Sequence, residues 1–184
     1  MTLVELMIAT GLGTVVLSAV MALTIFSARS FAAVTNYVDL DVKSRAAVDR
    51  MSQEIRQANG VTGYSTAQLP TGQVITNRLV LSGAGTDGTA YTLTYNYDPA
   101  KQTLIRMKVQ SGATNTTDLL TSCYYFNFGM FQRNPVNGTY DQYPAADPST
   151  CKLVQLYWIC SRNILGKTAN TESIESAKVV IRKE

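Results

Sequence analysis

The chain has 184 residues, 46% of them apolar and only 16% charged, with a formal net charge of +3. So small and scattered a surplus does not build the basic face that nucleic-acid binding needs, and the absence of histidine removes the commonest general base and transition-metal ligand. With no GxSxG elbow, phosphate loop or CxxC pair either, the chain is expected to be neither an enzyme nor the holder of a cofactor or metal.

The first element is apolar. From Leu6 to Ala28 run 23 residues without a charge, a helix of about 34 Å, enough to cross a bilayer with slight tilt. A cleaved signal peptide carries a basic segment before a shorter apolar core. Here the apolar run opens at the first residue, and the basic residue, Arg29, stands at its far end. One carboxylate, Glu5, interrupts the run. A charge at that depth costs on the order of 3 kcal/mol, so it needs either the headgroup layer or a partner. The candidate partner is the α-amine of residue 1 on a neighbouring chain.

Thr2-Leu3-Val4-Glu5-Leu6-Met7-Ile8-Ala9 resembles the start of a mature type IV pilin or pseudopilin. The resemblance implies that Met1 is the processed and N-methylated end, and that Glu5 directs docking into a growing filament. It also implies a prepilin peptidase and an inner-membrane assembly platform as partners. The family usually has Phe at residue 1, where this chain has Met1. Gly11 and Gly13 lie within the apolar run at about 1 kcal/mol each relative to Ala in a helix. They read either as small residues for close helix packing or as a site of local unwinding on assembly.

The helix is expected to continue to about residue 59. Phe31, Val34, Val38 and Val42, then Val48, Met51, Ile55 and Ala58, recur at spacings of three and four and read as one apolar face. Asp39/Lys43, Asp41/Arg45, Arg45/Asp49 and Arg50/Glu54 pair opposite charges four residues apart on the other side. Asn59-Gly60 reads as the stop. A helix of that length, about 85 Å, cannot be buried by one small domain. Half of it must lie in lipid or in the core of an assembly.

Residues 61–76 are polar and rich in Gly, Thr and Gln, and read as a connecting loop. Arg78–Ser82 reads as a strand, followed by the glycine-rich turn Gly83–Gly88. Tyr91, Leu93, Tyr95 and Tyr97 alternate with polar residues, and Asp98-Pro99-Ala100-Lys101 turns the chain back through Thr103–Val109, which makes a hairpin. Residues 124–131 and 153–160 form a second strand pair around a surface loop at 132–152, and Lys178–Arg182 is the last strand. If that second pair is antiparallel, Cys123 and Cys160 share one end and Cys151 the other. Cys123–Cys160 is then the preferred disulfide, with Cys151 left over and Cys151–Cys160 the competitor. Lys101, Arg106 and Lys108 read as a solvated basic stripe, and the sequons at Asn115 and Asn137 decide nothing. Asn96-Tyr-Asp-Pro with Leu104-Ile-Arg106 also resembles the heads of larger minor pilins and J-type pseudopilins.

The expected fold class is therefore α+β: a long N-terminal helix packed on an antiparallel β-sheet head. Its parts are 1–28, a transmembrane or filament-core half; 29–59, an amphipathic half packing on the head; and 60–184, the globular head. The expected function is that of a structural subunit of a type IV pilus-like filament, built with further copies or related pilins. The chain would wait in the bacterial inner membrane and end in an extracellular filament or a periplasmic pseudopilus. The other readings are a type II secretion pseudopilin, a minor pilin that primes assembly, and a membrane-tethered adhesion or DNA-binding module. Nucleic acid is the partner with least support.

Overall fold

The computed structural model describes residues 2–144, 147–162 and 172–182, with side chains described outside 140–144. One helix, α1 (Leu3–Gln57), runs unbroken for 55 residues, about 80 Å. It stops where expected, but not through a left-handed glycine. Ala58 is already extended, and the Asn59 amide donates to the Ser82 carbonyl at 2.8 Å, so the chain leaves the helix straight into a sheet.

Nine strands follow among the described residues: β1 (Gly60–Gln68), β2 (Val74–Ala84), β3 (Ala90–Asp98), β4 (Thr103–Gln110), β5 (Ala113–Leu120), β6 (Cys123–Arg133), β7 (Tyr140–Pro144), β8 (Cys151–Ser161) and β9 (Glu172–Val180). They form two antiparallel sheets, β1-β2-β3-β4-β5 and β7-β6-β8-β9. The expected α+β arrangement of a long helix on an antiparallel head is what the structure has.

Several local expectations change. The polar segment after the helix is not a loop but strand β1, joined to β2 by a turn at Leu69–Gly72 with Gly72 at φ 85°. Strand β5 was also unexpected. It follows β4 through Ser111-Gly112, both at positive φ (51° and 80°), as a two-residue hairpin turn requires. The segment 132–152 carries β7 and a short 3-10 turn, Pro148–Thr150, and is not a plain loop. The last strand begins at Glu172, six residues earlier than its hydrophobic pattern indicated.

The sheets share one core. The Thr76 amide on β2 donates to Asn127 Oδ1 on β6 at 2.9 Å, and the Tyr97 hydroxyl on β3 donates to the Cys123 carbonyl at 2.8 Å. Around these bridges the rings of Tyr97, Phe126 and Trp158 pack in sequence, the last two stacked at 5.7 Å. Gly83 faces the Tyr91 ring across the β2–β3 pair. A Cβ there would meet that ring at 2.4 Å, so the ring lies over the bare backbone.

Candidate functional site: the apolar helix and its anchors

The first part of α1 is largely uncovered by the rest of the chain. No side chain before Leu40 is buried, and the large apolar ones from Leu3 to Val38 are 49–77% exposed. The most apolar 18-residue window reaches a mean hydropathy of 2.1, long and apolar enough to cross a membrane. Four of its hydroxyls are satisfied internally. Thr10, Thr14, Ser18 and Thr24 donate to carbonyls three or four residues earlier at 2.8–3.1 Å. Such back-bonding removes polar groups that lipid or a dry helix bundle could not satisfy.

Glu5 caps its own helix. The Thr2 amide donates to Glu5 Oε2 at 2.8 Å, and the Glu5 amide donates to Thr2 Oγ1 at 3.4 Å, a capping box with N-cap Thr2. The carboxylate remains exposed. Met1, its expected partner on a neighbour, lies outside the described residues. At Gly11 and Gly13 an added Cβ would meet nothing within 4 Å, so close packing at these glycines requires a second chain.

The expected single apolar face does not exist. The buried row is Leu40, Ser44, Ala47, Met51, Ile55 and Ala58, while Phe31, Val34, Val38 and Val42 are 52–75% exposed. The step of six from Val42 to Val48 turns the helix through about 600°, so rows before and after it cannot share a side. The earlier row instead points away from the head and continues the apolar surface of the first half.

Two polar anchors fix the helix to the head. Ser44 is fully buried. Its hydroxyl accepts from the Trp158 Nε1–H on β8 at 3.2 Å and lies 3.4 Å from the Ser173 hydroxyl on β9. Nearly three turns on, Glu54 receives Arg106 of β4 side-on, from Nε at 2.9 and 3.0 Å and from Nη2 at 2.7 Å, together with the Tyr95 hydroxyl of β3. Arg106 was expected on a solvated stripe with Lys101 and Lys108, but it is 5% exposed and ion-paired. Glu54 was expected only to pair with Arg50 on the outer face. That contact exists at 3.5 Å, but the carboxylate turns inward.

The electrostatics follow from this geometry. Burial pushes the Glu54 carboxyl up, yet the hydrogen bonds from Arg106 and Tyr95 and the charges of Arg106 and Arg50 outweigh it, and the net is a lowered value. Burial, then the Glu54 charge, pushes the Tyr95 hydroxyl well up, so it remains a donor. Of the other expected pairs, Lys43–Asp39 and Arg45–Asp41 form at 3.0 and 2.9 Å. Arg45 pairs back to Asp41, and no ion pair with Asp49 is formed. Asp39 also receives Arg162 at 2.6 Å, tying the helix to the end of β8.

All three cysteines are buried thiols. Cys123 and Cys160 are direct register partners across β6 and β8. Cys151 lies nine positions from Cys160 on the same strand, about 30 Å away along an extended chain. That separation removes Cys151–Cys160 as a disulfide.

No metal-holding group of three or more His, Cys, Asp or Glu side chains occurs among the described residues. No protein-family model matches the chain, and no curated protein matches it.

Proposed function

We propose that the chain is a structural, non-catalytic subunit of a type IV pilus-like filament, held in a membrane before assembly and packed helix to helix afterwards. The observation that carries this reading is the apolar surface on the free part of α1, which extends well past the length a bilayer covers. Residues 6–28 already span the hydrocarbon core. Phe31, Val34, Val38 and Val42 lie beyond it, still exposed and turned from the head. Water excludes such a surface, and lipid cannot reach all of it. Neighbouring copies of the same helix cover both parts at once.

Glu5 has a defined place in this scheme. In the single chain its carboxylate caps the helix and keeps one oxygen outside that bond. In a bundle without lipid, that oxygen accepts from the α-amine of the next subunit, and each buried charge neutralises the other. In the cell the chain would then move from the bacterial inner membrane to an extracellular filament or a periplasmic pseudopilus.

The test is Glu5→Gln in cells that produce the chain. The expected outcome is a protein that still fractionates with membranes while filaments fall at least tenfold by electron microscopy. Filaments of normal number and length would refute the pairing. Loss of the protein from membranes would refute the division of labour between the apolar run and its carboxylate.

A further inference from the structure

At the end of the head where α1 terminates, the helix and β2–β4 enclose an open basin of about 800 Å³. We propose that this basin is a binding site for an acidic saccharide, a hydroxyl-rich ligand carrying a carboxylate. The inference stands apart from the filament reading, because every residue it uses belongs to the head or to the last helical turns.

Four cations line the basin, Arg56, Arg106, Lys108 and Arg182, against two carboxylates, Glu54 and Asp87. Both Glu54 oxygens are engaged by Arg106 and Tyr95, so this carboxylate is already neutralised. Arg106 binds Glu54 through Nε and Nη2 and leaves Nη1 without a protein partner. Arg106 lines the basin, and no fully buried side-chain nitrogen or oxygen among the described residues lacks a partner. Among the described residues, Arg56 and Arg182 have no ion-pair or side-chain hydrogen-bond partner. Their guanidinium groups can therefore take a carboxylate in fork geometry.

The rest of the lining suits hydroxyls. Gln57, Asn59 and Gln110 supply amides. Gln110 is held by its Nε2 donating to Thr89 Oγ1 at 2.7 Å. Asp87 accepts from the Thr89 amide and hydroxyl through Oδ1 alone, which leaves Oδ2 as an acceptor. Gly85 makes the arrangement possible, since a Cβ there would stand 2.6 Å from Asp87 Oδ1 and 3.0 Å from Gln110 Nε2. Lys108 is steadied over the Tyr91 ring, 4.3 Å from its centre.

The same features argue against nucleic acid. Nucleic acid needs cations spread along a backbone track, whereas these converge on one basin that also presents a carboxylate oxygen. A single small ion would leave most of the volume and all three amides unused. The volume matches a ligand of a few sugar rings.

The experiment titrates the full chain in non-ionic detergent, at low salt, with trigalacturonate. The controls are the neutral galactose trisaccharide, sodium sulfate and a single-stranded oligonucleotide. Backbone-amide NMR locates the shifts and calorimetry measures affinity. The expected result is one trigalacturonate per chain with shifts confined to the basin, and the neutral sugar at least tenfold weaker. Arg56→Gln and Arg182→Gln each remove a charged donor and should weaken binding about tenfold. Both side chains are exposed, so the unfolding midpoint should not move. Any of three results overturns the proposal: no trigalacturonate binding at millimolar concentration, equal binding by both arginine variants and the parent, or tighter binding of sulfate or the oligonucleotide.

Discussion

Arg106→Met is the most informative single change in the head. It keeps most of the side-chain stem and removes the charge and all three hydrogen bonds to Glu54. Glu54 is left as a carboxylate with 18% of its side chain exposed, held by the Tyr95 hydroxyl and the 3.5 Å contact to Arg50. Removing one partner of a buried pair costs about 3–5 kcal/mol. The partial exposure of Glu54 and its two remaining partners bring the expected loss to about 3 kcal/mol, a large share of the ~5–15 kcal/mol typical of a domain. The assay is urea unfolding of the detergent-solubilised chain, followed by the fluorescence of Trp158, the only tryptophan and fully buried. Adding Glu54→Gln removes the uncompensated charge and keeps an acceptor for Tyr95, so the double variant should be more stable than Arg106→Met alone. A loss below about 0.5 kcal/mol for Arg106→Met, or a double-variant cost equal to the sum of the singles, would show that the pair does not hold the helix to the head.

Three further outcomes follow from the same geometry. The folded-state value of Glu54 is depressed, so its contribution to stability is complete above the ordinary carboxylate range. It should be lost as pH falls through the lowered folded value, and Glu54→Gln should flatten that acid limb in unfolding measured against pH. Ser44→Ala leaves the buried Trp158 N–H without its acceptor and should cost about 1–3 kcal/mol in the same urea assay; a loss near zero would mean the bond does not contribute. Mild oxidation of the chain should link Cys123 to Cys160 and leave Cys151 as a thiol, read as one disulfide-linked peptide pair by mass spectrometry. Recovery of Cys151 in a crosslink within the same molecule would contradict the register.

Much of the backbone was legible from local pattern. The β3–β4 hairpin follows from alternating Tyr91, Leu93, Tyr95 and Tyr97 and from the Asp98-Pro99 turn, and the β6–β8 pair follows from two β-prone runs. Strand β5 has no such alternation. Ala113-Thr-Asn-Thr is exposed on both faces, and its one local signal is Ser111-Gly112 at the turn. Strand β1 was hidden for a related reason: glycine and hydroxyl residues at a sheet edge become a strand because β2 offers its hydrogen bonds. The phase slip between Val42 and Val48 was present in the spacing, yet only the position of the head shows which row it buries.

The sequence by itself determined the long helix, its membrane-length apolar run and the lone carboxylate at its start, because periodicity, hydropathy and charge act within a few residues of one another. Only the tertiary structure decided what Glu54, Ser44 and Arg106 do. Arg106 lies 52 positions from Glu54, and Trp158 lies 114 from Ser44. A charged side chain on a helix or strand reads as solvated until a distant element closes over it. Burial then turns an exposed charge into an anchor, and no local pattern carries that information.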